Sequence, residues 1–197
     1  MRRPSNFTND IEIGKIGETD FEQFLSSSTK CEHFENVTED PFFQLLDIDY
    51  IQFTRLKEDG TQYTSEDVKN AFLNHAKDSE RDFCRLYEVK TDTRSEKTRN
   101  VVYELISHDK TGCASATRAD YFYYVFTDEY IFGKIKERWL IDIKKWRKFI
   151  RENAEGGEGV RLHNFDRTKD HVLNFLTNIE RLKEVGVAKK IQQRDNE

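Results

Sequence analysis

The chain has 197 residues, 35% of them charged and 36% hydrophobic, with 32 Lys+Arg against 37 Asp+Glu for a net charge of −5 at pH 7. A mean hydropathy of −0.84 would suit a disordered chain. However, 15 Phe, 8 Tyr and 2 Trp supply the aromatic area for a core, and only 9 Gly and 2 Pro exclude a linker-like composition. No apolar run approaches the roughly 18 residues of a membrane helix, and Arg2 and Arg3 are not followed by the apolar stretch of a secretory leader. The expectation is a cytoplasmic protein with no membrane contact. It should form a single domain over residues 1–188, with a polar tail over 189–197.

In chain order, Gly17–Leu25 (GETDFEQFL) predicts a helix. Thr19 caps it with Glu22 in capping-box position, and Phe21, Phe24 and Leu25 share a face. Ile11, Ile13 and Ile16 either extend this helix or precede it. His33–Val37 predicts a short strand, Asp40-Pro41 a turn, and Leu45–Phe53 a longer strand. Lys57–Gln62 turns around Asp59-Gly60, and Ser65-Glu66-Asp67 opens a helix with Val68, Ala71, Phe72 and His75 on one face. Phe83–Thr91 and Asn100–Ser107 predict two strands around a polar loop. Lys110-Thr111-Gly112 is a turn, and Thr117–Asp120 a helical turn. Tyr121–Phe126 and Tyr130–Ile135 read as a hairpin. A basic helix is expected over Glu137–Asn153, a flexible break at Gly156-Gly157-Glu158-Gly159, and a last helix over Lys169–Glu184. This order predicts an α/β fold, a central mixed β-sheet flanked by helices.

Cys31, Cys84 and Cys113 are scattered and form no CxxC. Cys31-Glu32-His33 and His108…Cys113 lack a matched second pair at zinc spacing, so three reduced thiols are expected.

The chemically informative segment is Leu86-Tyr87-Glu88-Val89-Lys90. Alternation along a strand puts Glu88 and Lys90 on one face, and Tyr87 and Val89 on the other. Charges in an otherwise apolar strand are unfavourable unless paired or used. Asp47-Ile48-Asp49 likewise interrupts an apolar run. Two carboxylates meeting a lysine suit a hard cation such as Mg²⁺ and the hydrolysis of a phosphodiester. Each feature also has a plain structural use: a surface ion pair, a carboxylate near a helix start, a turn residue.

Asp49 followed by Glu88-Val89-Lys90 resembles the PD-(D/E)XK nuclease core of restriction endonucleases, Holliday-junction resolvases and phage exonucleases. Gly14-Lys15-Ile16-Gly17-Glu18 resembles the first helix of that family, with Glu18 at the position that joins the metal site. Gln44–Tyr50 resembles the family's Q-x-x-G-I-D-[FY], with Asp47 where Gly is common. Thr98–Glu104 resembles T-G-N-x-x-x-E, with Arg99 in place of Gly. Thr117-Arg118-Ala119-Asp120-Tyr121 resembles S-K-A-D-Y. The resemblance spans Gly14 to Ile150 and implies a restriction-endonuclease-like core. It implies a metal-dependent nuclease hydrolysing DNA phosphodiester bonds with Mg²⁺ or Mn²⁺. Asp49, Glu88 and Glu18 would hold metal, and Lys90 would orient water or stabilise the transition state. Glu88 lies 39 positions after Asp49, long for this family, so residues 57–81 read as a helical insertion. The alternative is a catalytically inactive nucleic-acid-binding or protein-interaction module on the same fold, or a subunit active only with a partner. Enzymes of this fold that cut two strands form dimers, so a homodimer is a possible assembly.

Between Lys134 and Arg151 stand eight basic and two acidic residues, while Glu32–Asp49 holds six acidic residues and no basic one. A helix here would bury Trp139, Ile143, Trp146 and Ile150 and expose Lys144, Lys145, Arg147, Lys148 and Arg151. That face suits DNA phosphates or simply solvent. Arg99, Arg118, Lys144, Lys145 and Lys148 are the candidate nucleic-acid contacts.

Overall fold

A computed structural model describes residues 7–75, 78–93, 95–107, 110–128, 131–154, 160–167 and 170–192. Gly156–Gly159, His108 and Tyr130 lie outside the described residues.

Helix α1 (Phe7–Ser26) is continuous, so Ile11–Ile16 extend it and Thr19 lies within it rather than at its cap. Strands β1 (His33–Asn36) and β2 (Tyr50–Phe53) are joined through α2 (Pro41–Gln44), which the Asp40 carboxylate caps on the Phe42 amide at 2.9 Å. The strand expected over Leu45–Phe53 is thus only its second half. Asp47 takes a left-handed φ of 48°, which interrupts extended backbone, and Leu45 is 85% exposed. The inserted segment carries α3 (Ser65–Leu73) and a 3-10 turn (Asp78–Arg81). His75 lies beyond α3 and is exposed.

Then follow β3 (Cys84–Asp92), α4 (Ser95–Thr98), β4 (Asn100–Ser107), β5 (Lys110–Thr111), α5 (Cys113–Ala116), β6 (Tyr121–Thr127) and β7 (Ile135–Asp142). Helix α6 is Ile143–Asn153, and Asp142 caps it on the Lys145 amide at 2.9 Å. The basic helix therefore starts six residues later than expected. Trp139 belongs to β7, because Trp139 and Ile141 alternate inward as in a strand. The helix expected over Lys169–Glu184 is mostly strand: β8 (Val160–Arg167) and β9 (Asp170–Asn178) pair, and only α7 (Ile179–Glu184) is helical. β10 (Ala188–Ile191) reaches into the expected polar tail and pairs with β7.

The fold is mixed α/β, with a central mixed sheet flanked by helices. That sheet has strand order β1-β2-β3-β6-β7-β10, and its single parallel pair is β3 with β6. A second, antiparallel sheet has the order β5-β4-β9-β8. Helix α1 covers one face of the main sheet through Phe21 and Leu25, packed on Tyr50, Tyr87 and Tyr123. Arg138 clamps Asp20 with three hydrogen bonds, of 3.0, 2.8 and 2.6 Å, and the Tyr123 hydroxyl donates to the same carboxylate at 2.8 Å. Gly17 lets α1 approach closely, since a Cβ there would lie 2.1 Å from Thr91 Oγ1. On the other face, Ile51, Leu86 and Phe122 meet Val101, Tyr103 and Phe175 of the second sheet, with Trp146 of α6 wedged between. Among the described residues, no helix is long and apolar enough to cross a membrane.

Candidate active site

The pleat of β3 separates its residues as the sequence pattern requires. Tyr87 packs toward α1, while Leu86 belongs to the core on the opposite face with the second sheet. Glu88 follows Leu86 onto that face and is buried, and Lys90 stands half-buried beyond it. The Lys90 Nζ lies 2.8 Å from Glu88 Oε1. Asp49 precedes β2 and is placed by backbone: its amide donates to Tyr87 O and its Oδ2 accepts from the Val89 amide, both at 2.8 Å. The Asp49 and Glu88 carboxyls are close enough for each to act on the other's charge. The three residues therefore converge.

The electrostatics are those of crowded, desolvated acids. Burial pushes the Glu88 carboxyl up to about 7; Lys90 offsets part of this, and Asp49 and Asp47 add to it. Burial likewise raises Asp49 and Asp47 above the ordinary carboxylate range. Burial opposes charge on Lys90, but Glu88 overrides it and keeps the ammonium protonated well above its usual range. Among the described residues Glu88 Oε2 is buried with no hydrogen-bond partner. A buried oxygen of this kind is unfavourable without a proton or a cation.

Glu18 approaches from α1. Its carboxyl is raised by burial first and then by Asp49, so it borders the cluster. Two groups join that the sequence pattern assigned no role. The Cys113 thiol donates to Glu88 Oε1 at 3.5 Å, and burial pushes it upward. Glu104 on β4 is near enough to act on Lys90. Its place in the Thr98–Glu104 segment was the available signal; Cys113 carried none. The Asp47 loop is held from the α5 side: Thr117 Oγ1 donates to Asp47 O at 2.7 Å and the Arg118 amide to Leu46 O at 2.8 Å. Among the described residues, no three His, Cys, Asp or Glu side chains form a group arranged to hold a metal ion.

No protein-family model, curated protein or solved structure matches the chain.

The candidate nucleic-acid contacts separate. Arg99 is turned inward: it bonds Glu137 at 3.0 Å and Glu180, and lies over Phe126 and Trp139. Lys145 reaches Gly186 O and Asp142, and Lys148 pairs with Glu152. Arg147, read as exposed, donates to Ala114 O, Ser115 O and Thr117 O and so ties α6 to α5. Arg118 and Lys144 are exposed and line one cleft.

Proposed function

We propose that the protein is a metal-dependent nuclease hydrolysing DNA phosphodiester bonds at Asp49, Glu88 and Lys90, on a restriction-endonuclease-like core. The observation that carries this reading is the meeting of the two carboxyls beside Lys90, with the Glu88 Oε2 buried and unpartnered. That donor set fits a hard cation: oxygen ligands, incomplete protein coordination, and charge wanting compensation. Asp49 and Glu88 would hold Mg²⁺ or Mn²⁺, with Glu18 bordering. A metal bound there supplies Lewis acidity and lowers the pKa of its water. Lys90, kept protonated by Glu88, donates hydrogen bonds to the attacking water or to a phosphoryl oxygen as charge builds there. The Val89 amide fixes the Asp49 carboxylate, so the acid needs little rearrangement on use.

Backbone geometry adds support to the resemblance. Asp47 and Arg99 replace the two glycines of the family pattern, and both hold left-handed φ, of 48° and 57°. These are conformations glycine adopts without penalty.

A second reading, a binding module without catalysis, is favoured by one observation: two close carboxylates rather than a three-ligand group among the described residues. Incubation of the purified protein with plasmid and linear DNA in Mg²⁺ or Mn²⁺ separates the two. Cleavage should occur and should vanish in Asp49→Ala and Lys90→Ala, with circular dichroism unchanged. Cleavage that persists in either variant refutes the site, and none by the parent protein favours the binding module.

A further inference from the structure

Away from the carboxylates, a cleft of about 890 Å³ opens between the inserted segment, the start of β3 and helix α6. Its floor carries Phe42, Phe72 and Tyr121, each half-buried. Its walls carry Arg118 and, two turns apart on one face of α6, Lys144 and Arg151. These three cations are exposed and have no ion-pair partner among the described residues. The acids that share the cleft are already engaged. Asp142 caps α6, Asp120 accepts from the Leu86 amide at 2.9 Å, and Asp82 holds Arg55 at 2.5 Å. The cleft thus sets three exposed cations beside partly exposed rings, of which Phe72 carries the Arg81 guanidinium over one face and Tyr121 stacks on Tyr87.

We infer that this cleft is a binding site for a short single-stranded segment of nucleic acid, its phosphates on Arg118, Lys144 and Arg151 and its bases against Phe42, Phe72 and Tyr121. Cations tracking a backbone above rings on which any base can stack is the chemistry of single-strand binding. A paired duplex keeps its base faces stacked inside and would reach only the rim charges. The shared ligand chemistry, a phosphodiester chain with unpaired bases, belongs to both DNA and RNA. The site stands on its own residues and not on the nuclease reading: none of Asp49, Glu88 and Lys90 lines it.

Fluorescence anisotropy in EDTA, where no metal-dependent cleavage occurs, tests it with labelled oligothymidylate, oligouridylate and a blunt duplex, each of roughly ten nucleotides. Single strands should bind more tightly than the duplex, and the oligothymidylate–oligouridylate comparison assigns the sugar preference. Lys144→Glu combined with Arg151→Glu should weaken single-strand binding by about tenfold or more. The same change should make the salt dependence shallower by about one unit for each phosphate no longer neutralised. Lys148→Glu, on the same helix but outside the cleft, should change affinity far less. Equal losses in the two proteins, duplex binding as tight as single-strand binding, or unchanged affinity after the double reversal would each overturn the inference. Binding without cleavage would leave the cleft standing and refute the nuclease. Cleavage with no effect of the double reversal on binding would do the opposite.

Discussion

Replacing Glu88 by Gln asks how much the buried carboxylate destabilises the fold. Its pKa rises from 4.5 to about 7 because the folded protein favours the protonated form. The sign follows: below 4.5 the acid is neutral in both states, and the penalty grows as pH rises and is complete above about 7. A rise of that size corresponds to about 3 kcal/mol, of which about 2 to 3 falls between pH 5 and pH 8. Glu88→Gln cannot ionise and escapes this loss, so relative to the parent it should gain that amount on going from pH 5 to pH 8. Urea unfolding in EDTA, followed by the fluorescence of the buried Trp139 and Trp146, would read the gain as a relative shift in midpoint of about 1 M or more. Added Mg²⁺ at pH 8 should stabilise the parent and leave Glu88→Gln nearly unmoved. A difference between the two proteins that is the same at both pH values would refute the reasoning.

Two further substitutions probe the backbone that frames the site. Gly17→Ala should destabilise by about 1 to 3 kcal/mol, since its Cβ meets Thr91 Oγ1 at 2.1 Å; Thr91→Ala in the same chain should recover part of the loss, measured by urea titration. Arg99→Gly should be more stable than Arg99→Ala by about 1 kcal/mol, because both lose Glu137 and Glu180 but only Gly relaxes at φ 57°; equal thermal midpoints would contradict this.

The candidate site was legible in the sequence to a large degree, and the second sheet only in its strand β4, Asn100–Ser107. Charges at Glu88 and Lys90 stood out because they interrupt the run of Leu86, Tyr87 and Val89, and a period of two places them on one face whatever the tertiary fold. Asp49 converges on them through its contact with the Val89 amide, a long-range pairing that two charge-interrupted strands suggested and the family resemblance assigned to Asp49 in particular. The helix expected over Lys169–Glu184 rested on Val172, Phe175, Leu176, Ile179 and Leu182. Those spacings arise here because β9 is flanked by β4 and β8, and Asn174 and Thr177 are buried alongside Phe175, so no clean alternation survives. Trp139, Ile143, Trp146 and Ile150 mimic a helical stripe across the junction of β7 and α6. The Asp142 cap marks the true start, and the Trp139–Ile141 alternation marks the strand. Arg147 and Arg99 looked like surface cations because their carbonyl and carboxylate partners are distant in sequence.

The chain visits the two sheets in alternation. It lays down β1 to β3 in the first, β4 and β5 in the second, then β6 and β7, then β8 and β9, and returns for β10. Neither sheet can be finished by a contiguous piece of polypeptide, so no single cut yields two halves that each own a complete core. Such an arrangement favours all-or-none unfolding. It also requires many contacts between distant parts of the chain before either sheet is complete, the circumstance in which folding is slow. A lesion in the β8–β9 hairpin should therefore be felt at Glu88 without any bonded path between them, through the shared stability of one cooperative unit.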